Sequence, residues 1–287
     1  MPTLKEIKGR IASVRGTLKI TSAMKLVSSA KLRKAQKATE AMRPYEAKLQ
    51  EMLAAVGLTA SDERVAPEGW AAEGRTTSPA AIVAIASNSS LCGGFNANAV
   101  AKVRSVRQGG DVVYSIGRKM AEVMRRDGFP SPEDFSALSE NPAYAPAAAL
   151  VEKLQQDLAE GRISRVLMVY NHFVSTARQV PVVEELLASA GPAMQARADA
   201  EEASDAIFEP SRKDLLEALE SKLLKLKLYA ALLDSAAAEH AARTVAMQTA
   251  TDNGEKLLQE LTLQYNKGRQ QKITSEILDL AGGQAAQ

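Results

Sequence analysis

Residues 215–237 read LLEALESKLLKLKLYAALLDSAA, and this stretch decides the fold. Leu216, Leu219, Leu223, Leu226, Ala230, Leu233 and Ala237 follow one another at alternating steps of three and four. That spacing keeps one seam of a helix turned toward a partner helix. The last proline is Pro210, so the 77 residues after it read as one helix, roughly 100 Å long at 1.5 Å per residue. A rod of that length needs a partner, and the other end of the chain supplies one.

Residues 3–57 carry the same spacing, with Leu4, Ile7, Ile11, Val14 and Leu18 on one seam. Thr3 followed by Glu6 makes a capping box, and Ser211 followed by Asp214 is a weaker version at the second helix. Pro44 removes one backbone hydrogen bond and should kink the first helix, and Gly57 is a stop signal. Two seams at opposite chain ends are most simply buried against each other, antiparallel, with a compact segment between them. If residue 57 lies near residue 212, paired positions sum to roughly 270. Residues 21–31 (TSAMKLVSSAK) then face residues 239–249 (EHAARTVAMQT), both rich in small side chains, so the axes can approach closely. Roughly the last 20 residues are left without a partner. Ile273, Ile277, Leu278 and Leu280 form an apolar tip that calls for a sleeve made by another protein.

The middle differs in composition. Nine of the 11 prolines and 11 of the 17 glycines fall between residues 57 and 210, so the backbone turns often there. Residues 80–87, 111–117, 164–173 and 178–186 read as strands, and 96–108, 118–127 and 146–160 as helices. The alternation favours a mostly parallel, Rossmann-like sheet, with residues 61–79 and 188–205 as surface connections. The expected fold class is therefore α+β or α/β, a long antiparallel two-helix coiled coil with an inserted Rossmann-like domain. Its parts are 1–57, 58–208 and 209–287.

Charge is unevenly spread beneath a net of +2: residues 1–48 carry +9, residues 49–208 −6 and residues 209–287 −1. A basic first helix fits nucleic acid, an acidic protein surface or simply a solvated coil face. Against nucleic acid, the stretch lacks interleaved aromatics and matches no recognised module. No apolar run approaches the roughly 20 residues that span a bilayer. The basic start could read as a transit peptide, but the capping box and heptads begin at once and argue against a removable leader. The single Cys92 rules out a disulfide within the chain.

Several enzyme readings fail on spacing. The Gly93-Gly94 loop before a helix resembles a phosphate cradle, yet there is no G-x-G-x-x-G and no lysine with Ser or Thr behind it. Cys92 and His172 could pair as nucleophile and base, though such lone pairs are usually structural. His240 reads as a coil residue, and two His with one Cys make no zinc set. No cofactor is expected.

The segments ITSAMKLVSSAKLRKAQ (20–36), LCGGFN (91–96) and AARTVAMQTATDNGEKLLQELTLQYNKGRQQKITSEIL (241–278) resemble the gamma subunit of the F-type rotary ATP synthase. The resemblance runs from the first helix to the tail. It implies a central rotor shaft that couples proton-driven rotation of the membrane ring to ATP synthesis in the beta subunits, with no chemistry of its own. It also implies partners: the alpha and beta subunits of the catalytic ring, the epsilon subunit and the membrane ring of c subunits, with no nucleic acid. The complex would lie on the cytoplasmic face of a bacterial inner membrane, which this chain would touch only through its partners. Ring contacts carry over to Met24 and Lys25 of the first-helix motif, Arg243 of the second, the pair Arg269 and Gln270, and Thr274 and Glu276. Ile273, Ile277 and Leu278 fall at the bearing tip. The pairing above would bring Met24 and Arg243 close together. Asn88, Ser89 and Ser90 stand where many relatives carry Asp-Arg-Gly, and Thr244 where a methionine is common, which leaves the contacts of the central domain in doubt. A coiled-coil adaptor or nucleic-acid-binding arm with an inserted α/β domain is the competing reading.

Overall fold

In the computed structural model of the protein, residues 3–55, 78–188 and 212–284 are described. In chain order the elements are α1 (Leu4–Ala55), β1 (Ala80–Ile85), α2 (Phe95–Val106), β2 (Val112–Ile116), α3 (Arg118–Arg126), α4 (Ser136–Glu140), α5 (Tyr144–Ala159), β3 (Arg165–Phe173), β4 (Gln179–Ala188) and α6 (Arg212–Gln284). They fall into two compact units: Met1–Ser28 with Thr244–Gln287, and Ser29–Arg243. Gly57, Ser211 and most of both connecting segments lie outside the described residues, as do the side chains of Leu216 and Leu280.

In the first unit the capping box forms as the sequence requires. The Thr3 N–H donates to Glu6 Oε2 (3.0 Å) and the Glu6 N–H to Thr3 Oγ1 (3.3 Å), so two donors that helix geometry leaves orphaned are satisfied. The seam buries Ile7, Thr21 and Ser28 of α1 and Met247, Thr251 and Leu261 of α6. Two leucines sit over glycines. A Cβ on Gly254 would lie 2.7 Å from Leu18 Cδ2, and one on Gly268 would lie 3.1 Å from Leu4 Cδ2. About one turn beyond Leu18 the hydroxyls of Thr21 and Thr251 hydrogen-bond at 3.0 Å inside the seam. Each hydroxyl also reaches a carbonyl of its own helix, Thr21 that of Leu18 (3.2 Å) and Thr251 that of Met247 (2.8 Å), so the pair is well satisfied and favours this register. The helices run antiparallel, with each α1 residue meeting α6 slightly further along than the expected pairing placed it. Lys272 lines a cleft with Thr3 and Leu4 at the start of α1, and beyond it residues 273–278 are exposed.

In the second unit α1 remains helical through Pro44. Leu32 and Ala35 pack on Ala237 and Ala241, and further along Met42 and Leu49 pack with Leu219, Leu226 and Leu233. The sheet has the order β2-β1-β3-β4. β1 pairs parallel with both neighbours, and β4 closes one edge antiparallel to β3. One face is covered by Ala99, Val100 and Val103 of α2 and Met120 and Met124 of α3. The other is covered by Leu150, Val151 and Leu154 of α5 and by Leu228, Ala231 and Leu232 of α6. The C-terminal helix is therefore part of the sheet's own core. The expected strands and helices of the middle are all present with slightly shifted ends, and α4 was not anticipated because five residues are too few to show a period.

Gly117, with φ 103°, links β2 to α3 where an added Cβ would stand 2.2 Å from the Ala86 carbonyl oxygen. Backbone cannot retreat as a side-chain end can. Gly117→Ala should destabilise the chain by about 3 kcal/mol or more, read from urea midpoints. In the coil, Gly16 faces open space, so Gly16→Ala should add about 0.5–1 kcal/mol through helix propensity. Gly254→Val should cost about 1–3 kcal/mol by overpacking Leu18. The two coil variants should move hydrogen-exchange protection of residues 4–28 in opposite directions.

Candidate functional site

The bearing residues and most of the contact residues occupy successive turns of α6 in the first unit. Arg269, Gln270, Ile273, Thr274, Glu276, Ile277 and Leu278 are all exposed. Their polar contacts stay within the helix: the Thr274 hydroxyl donates to the Gln270 carbonyl (3.0 Å), and Lys272 Nζ lies 3.6 Å from Glu276 Oε1. An exposed i, i+4 ion pair of this kind adds a few tenths of a kcal/mol. Ile277 and Leu278 are 59% and 65% exposed, high values for large aliphatic side chains on neighbouring positions. A cleft of about 450 Å³, lined by Thr3, Leu4, Ile7, Gly268, Gln271 and Lys272, marks the place where α1 begins beside α6.

Further along the first unit, Lys25 Nζ donates to Gln248 Oε1 (2.9 Å), and Met24 is half-buried beside it. Ile20, Leu26 and Val27 of the same stretch are exposed apolar residues that sequence reasoning did not single out. They interrupt the charged face that a solvated coil would show.

Arg243 belongs to the second unit and is buried at 8% exposure. Its Nη1 pairs with Glu239 Oε1 (2.7 Å), while its buried Nη2 has no hydrogen-bond partner among the described residues. Burial raises the Glu239 carboxyl above its ordinary value, with Arg243 and Lys31 opposing. The same burial, reinforced by Arg243 and Lys31, lowers His240 to about 4 and keeps it neutral near pH 7. The spacing of Glu239 and Arg243, one turn apart, could have announced the pair; its burial could not have been read, because the enclosing residues are far away in sequence.

In the sheet domain, Cys92 is buried. Its sulfur is near Ser87 Oγ (3.7 Å) and accepts from Asn96 Nδ2 (3.2 Å). His172 turns elsewhere, with Nδ1 2.6 Å from Asp234 Oδ2 on α6. The two residues weighed as nucleophile and base are thus each committed to a different partner. Loop 91–96 presses Cys92 and Phe95 onto Ala238 and Ala242, so helix α6 fills the region beyond the C-terminal end of β1, where doubly wound sheets usually hold ligands. A cleft of about 530 Å³ lies between α2 and α3, with Val100 and Val123 on its floor. Two ion pairs line it, Arg104 forking onto Asp127 (2.7 and 2.8 Å) and Lys119 meeting Glu122 (3.0 Å), while Arg126 donates to the Glu122 carbonyl (3.2 Å). Among the described residues no helix is long and apolar enough to cross a membrane, and no group of three His, Cys, Asp or Glu could hold a metal ion.

Comparison with known proteins agrees with this architecture. The sequence pattern of the ATP synthase family matches residues 3–286. The ATP synthase gamma chain of Phocaeicola vulgatus is 46% identical over 100% of both chains, and that of Parabacteroides distasonis is 43% identical over 99% of both. Among solved structures, a chain of the Euglena gracilis mitochondrial ATP synthase, determined as OSCP/F1/c-ring, superposes with a TM-score of 0.67. It is 19% identical, with 99% of this chain and 94% of that one covered, which supports the fold. The coil, the inserted mixed sheet and these full-length matches together make the chain a member of the ATP synthase gamma chain family.

Proposed function

We propose that this chain is the central shaft of a rotary ATP synthase, turning inside a ring of alternating alpha and beta subunits and carrying no catalytic site of its own. Its middle domain, residues 58–208, forms a foot beside the epsilon subunit and the membrane ring of c subunits; residues 1–57 and 209–287 form the shaft. Ion flow turns the rotor, and the asymmetric shaft drives the beta subunits through states that bind ADP and phosphate, form ATP and release it. On this reading the complex sits at the cytoplasmic face of a bacterial inner membrane, and the chain is held there through its partners.

The observation that carries the reading is the single-helix end of α6. Its apolar side chains are exposed on an element otherwise built to bury such residues, which is the surface a surrounding sleeve would cover. Apolar contact is non-directional, so Ile273, Ile277 and Leu278 can bear against a sleeve without locking one angle. Arg269 and Gln270 point outward and suit a catch: guanidinium pairs bidentately with carboxylates, and the amide both donates and accepts. Thr274 and Glu276 extend the same surface. Met24 and Lys25 lie among exposed apolar residues and contribute a second contact zone, where +9 on residues 1–48 attracts acidic loops. Arg243 acts differently from the others. Paired and buried, it shapes the shaft from within and contacts the ring only if Glu239 releases it.

The test is to co-express the chain with alpha and beta subunits of the same organism and measure assembly and Mg-ATP hydrolysis. The chain should be required for a stable complex with multi-site turnover. Removing residues 273–287 should weaken retention of the shaft. Arg269→Glu should lower coupled turnover about tenfold or more, in line with loss of a charged hydrogen bond. Full activity in both variants would overturn the assignment of the tip. Failure to join a folded ring, with salt-sensitive binding to nucleic acid instead, would favour a basic binding arm.

A further inference from the structure

Helix α6 is tied to the sheet domain of the second unit by polar contacts of two kinds. Lys225 Nζ reaches Glu152 of α5 (2.6 Å), and Lys227 Nζ donates to the Glu185 carbonyl of β4 (3.2 Å) and lies 3.8 Å from Glu184. These are long side chains with several rotatable bonds, and they follow a moving helix at little cost. Asp234 makes the other kind of contact. Its short carboxylate meets two successive residues of β3: Oδ2 takes His172 Nδ1 at 2.6 Å, and Oδ1 accepts the Phe173 backbone N–H at 3.2 Å. The apolar contacts of Leu228, Ala231 and Leu232 set the helix against the sheet, but being non-directional they yield to small displacements. A two-point grip on a central strand opposes rotation directly.

We propose that the Asp234–His172–Phe173 clasp is the torque joint between shaft helix and foot sheet, with Asp234 and His172 as positioning residues. The proposal rests on the shaft reading. A carboxylate acceptor makes hydrogen bonds roughly twice as strong as a neutral one does. Other titratable groups face the clasp. Glu184 of β4 acts on Asp234, and Tyr170 of β3 donates its phenol hydrogen to Glu184 (2.7 Å). Burial pushes the Tyr170 phenol up, so it stays neutral beside the clasp.

Burial raises the Asp234 carboxyl above its ordinary value, against the pull of His172 and the Phe173 N–H. The clasp therefore weakens in acid as the carboxylate protonates, at a higher pH than for an ordinary aspartate.

Two measurements test this, on wild type, Asp234→Asn and His172→Gln; the glutamine keeps a donor but cannot take a charge. In vesicles with the assembled complex, ATP-driven ion uptake per ATP hydrolysed should fall about threefold in Asp234→Asn. In the full chain at one pH, exchange of the Phe173 amide should quicken about three- to tenfold in Asp234→Asn, where a neutral amide replaces the carboxylate that accepts it, and less in His172→Gln. A clasp that only stabilised the fold would leave uptake per ATP unchanged. Equal uptake per ATP in wild type and Asp234→Asn, or equal Phe173 exchange in the two, overturns the proposal. Failure of the wild-type chain to assemble would instead count against the shaft reading, and the exchange measurement would still decide whether the clasp exists.

Discussion

One helix in the second unit must satisfy two interfaces at once. Leu219, Leu226 and Leu233 of α6 belong to the seam against α1, while Leu228, Ala231 and Leu232 close the sheet. Each residue step turns a helix by about 100°, so no rotation can improve one set without exposing the other. Fully burying a leucine stabilises by about 1.5–3 kcal/mol, and Leu228 and Leu232 are essentially inaccessible. The helix angle is therefore held by burial on two sides. Beyond Asp234 the same logic uses small side chains: Ala237 and Ala241 meet α1, and Ala238 and Ala242 meet loop 91–96. A larger residue at any of the four would push one neighbour away.

Much of this was legible in the sequence, because periodicity is a local property that burial then selects. The steps of three and four put Ile7, Leu219, Leu226 and Leu233 in the seam, and the apolar runs of the middle became strands. The second face of α6 escaped notice. Leu228 and Leu232 look like extra leucines on an already apolar helix, and only the folded sheet shows what they cover. The register was read slightly short because it was anchored at residues 57 and 212, whereas Leu18 over Gly254 and Thr21 on Thr251 set it. That is a matter of individual knobs and holes, which composition does not resolve.

The candidate contact surface was legible in a different way. Among the described residues Arg269, Gln270, Thr274 and Glu276 show no polar contact outside their own helix, so no internal constraint could have identified them; the resemblance did. Arg243 reached the same set by the same route and proved to be buried beside Glu239. A motif position records that a residue matters, and its surroundings show whether it faces outward or shapes its own scaffold. His172 makes the same point: weighed as a base for Cys92, it is held by an aspartate 62 residues further along the chain.

Helix α6 closes a sheet whose last strand ends at Ala188, and its sealing residues begin only at Leu228. During synthesis the strands leave the ribosome first, so Val166, Met168 and Tyr170 wait with α5 alone over their face until the last helix has been made as far as Leu232. A product cut short before that point would show part of an apolar sheet to chaperones and proteases, whereas one cut short beyond it would close its sheet and lack its tip.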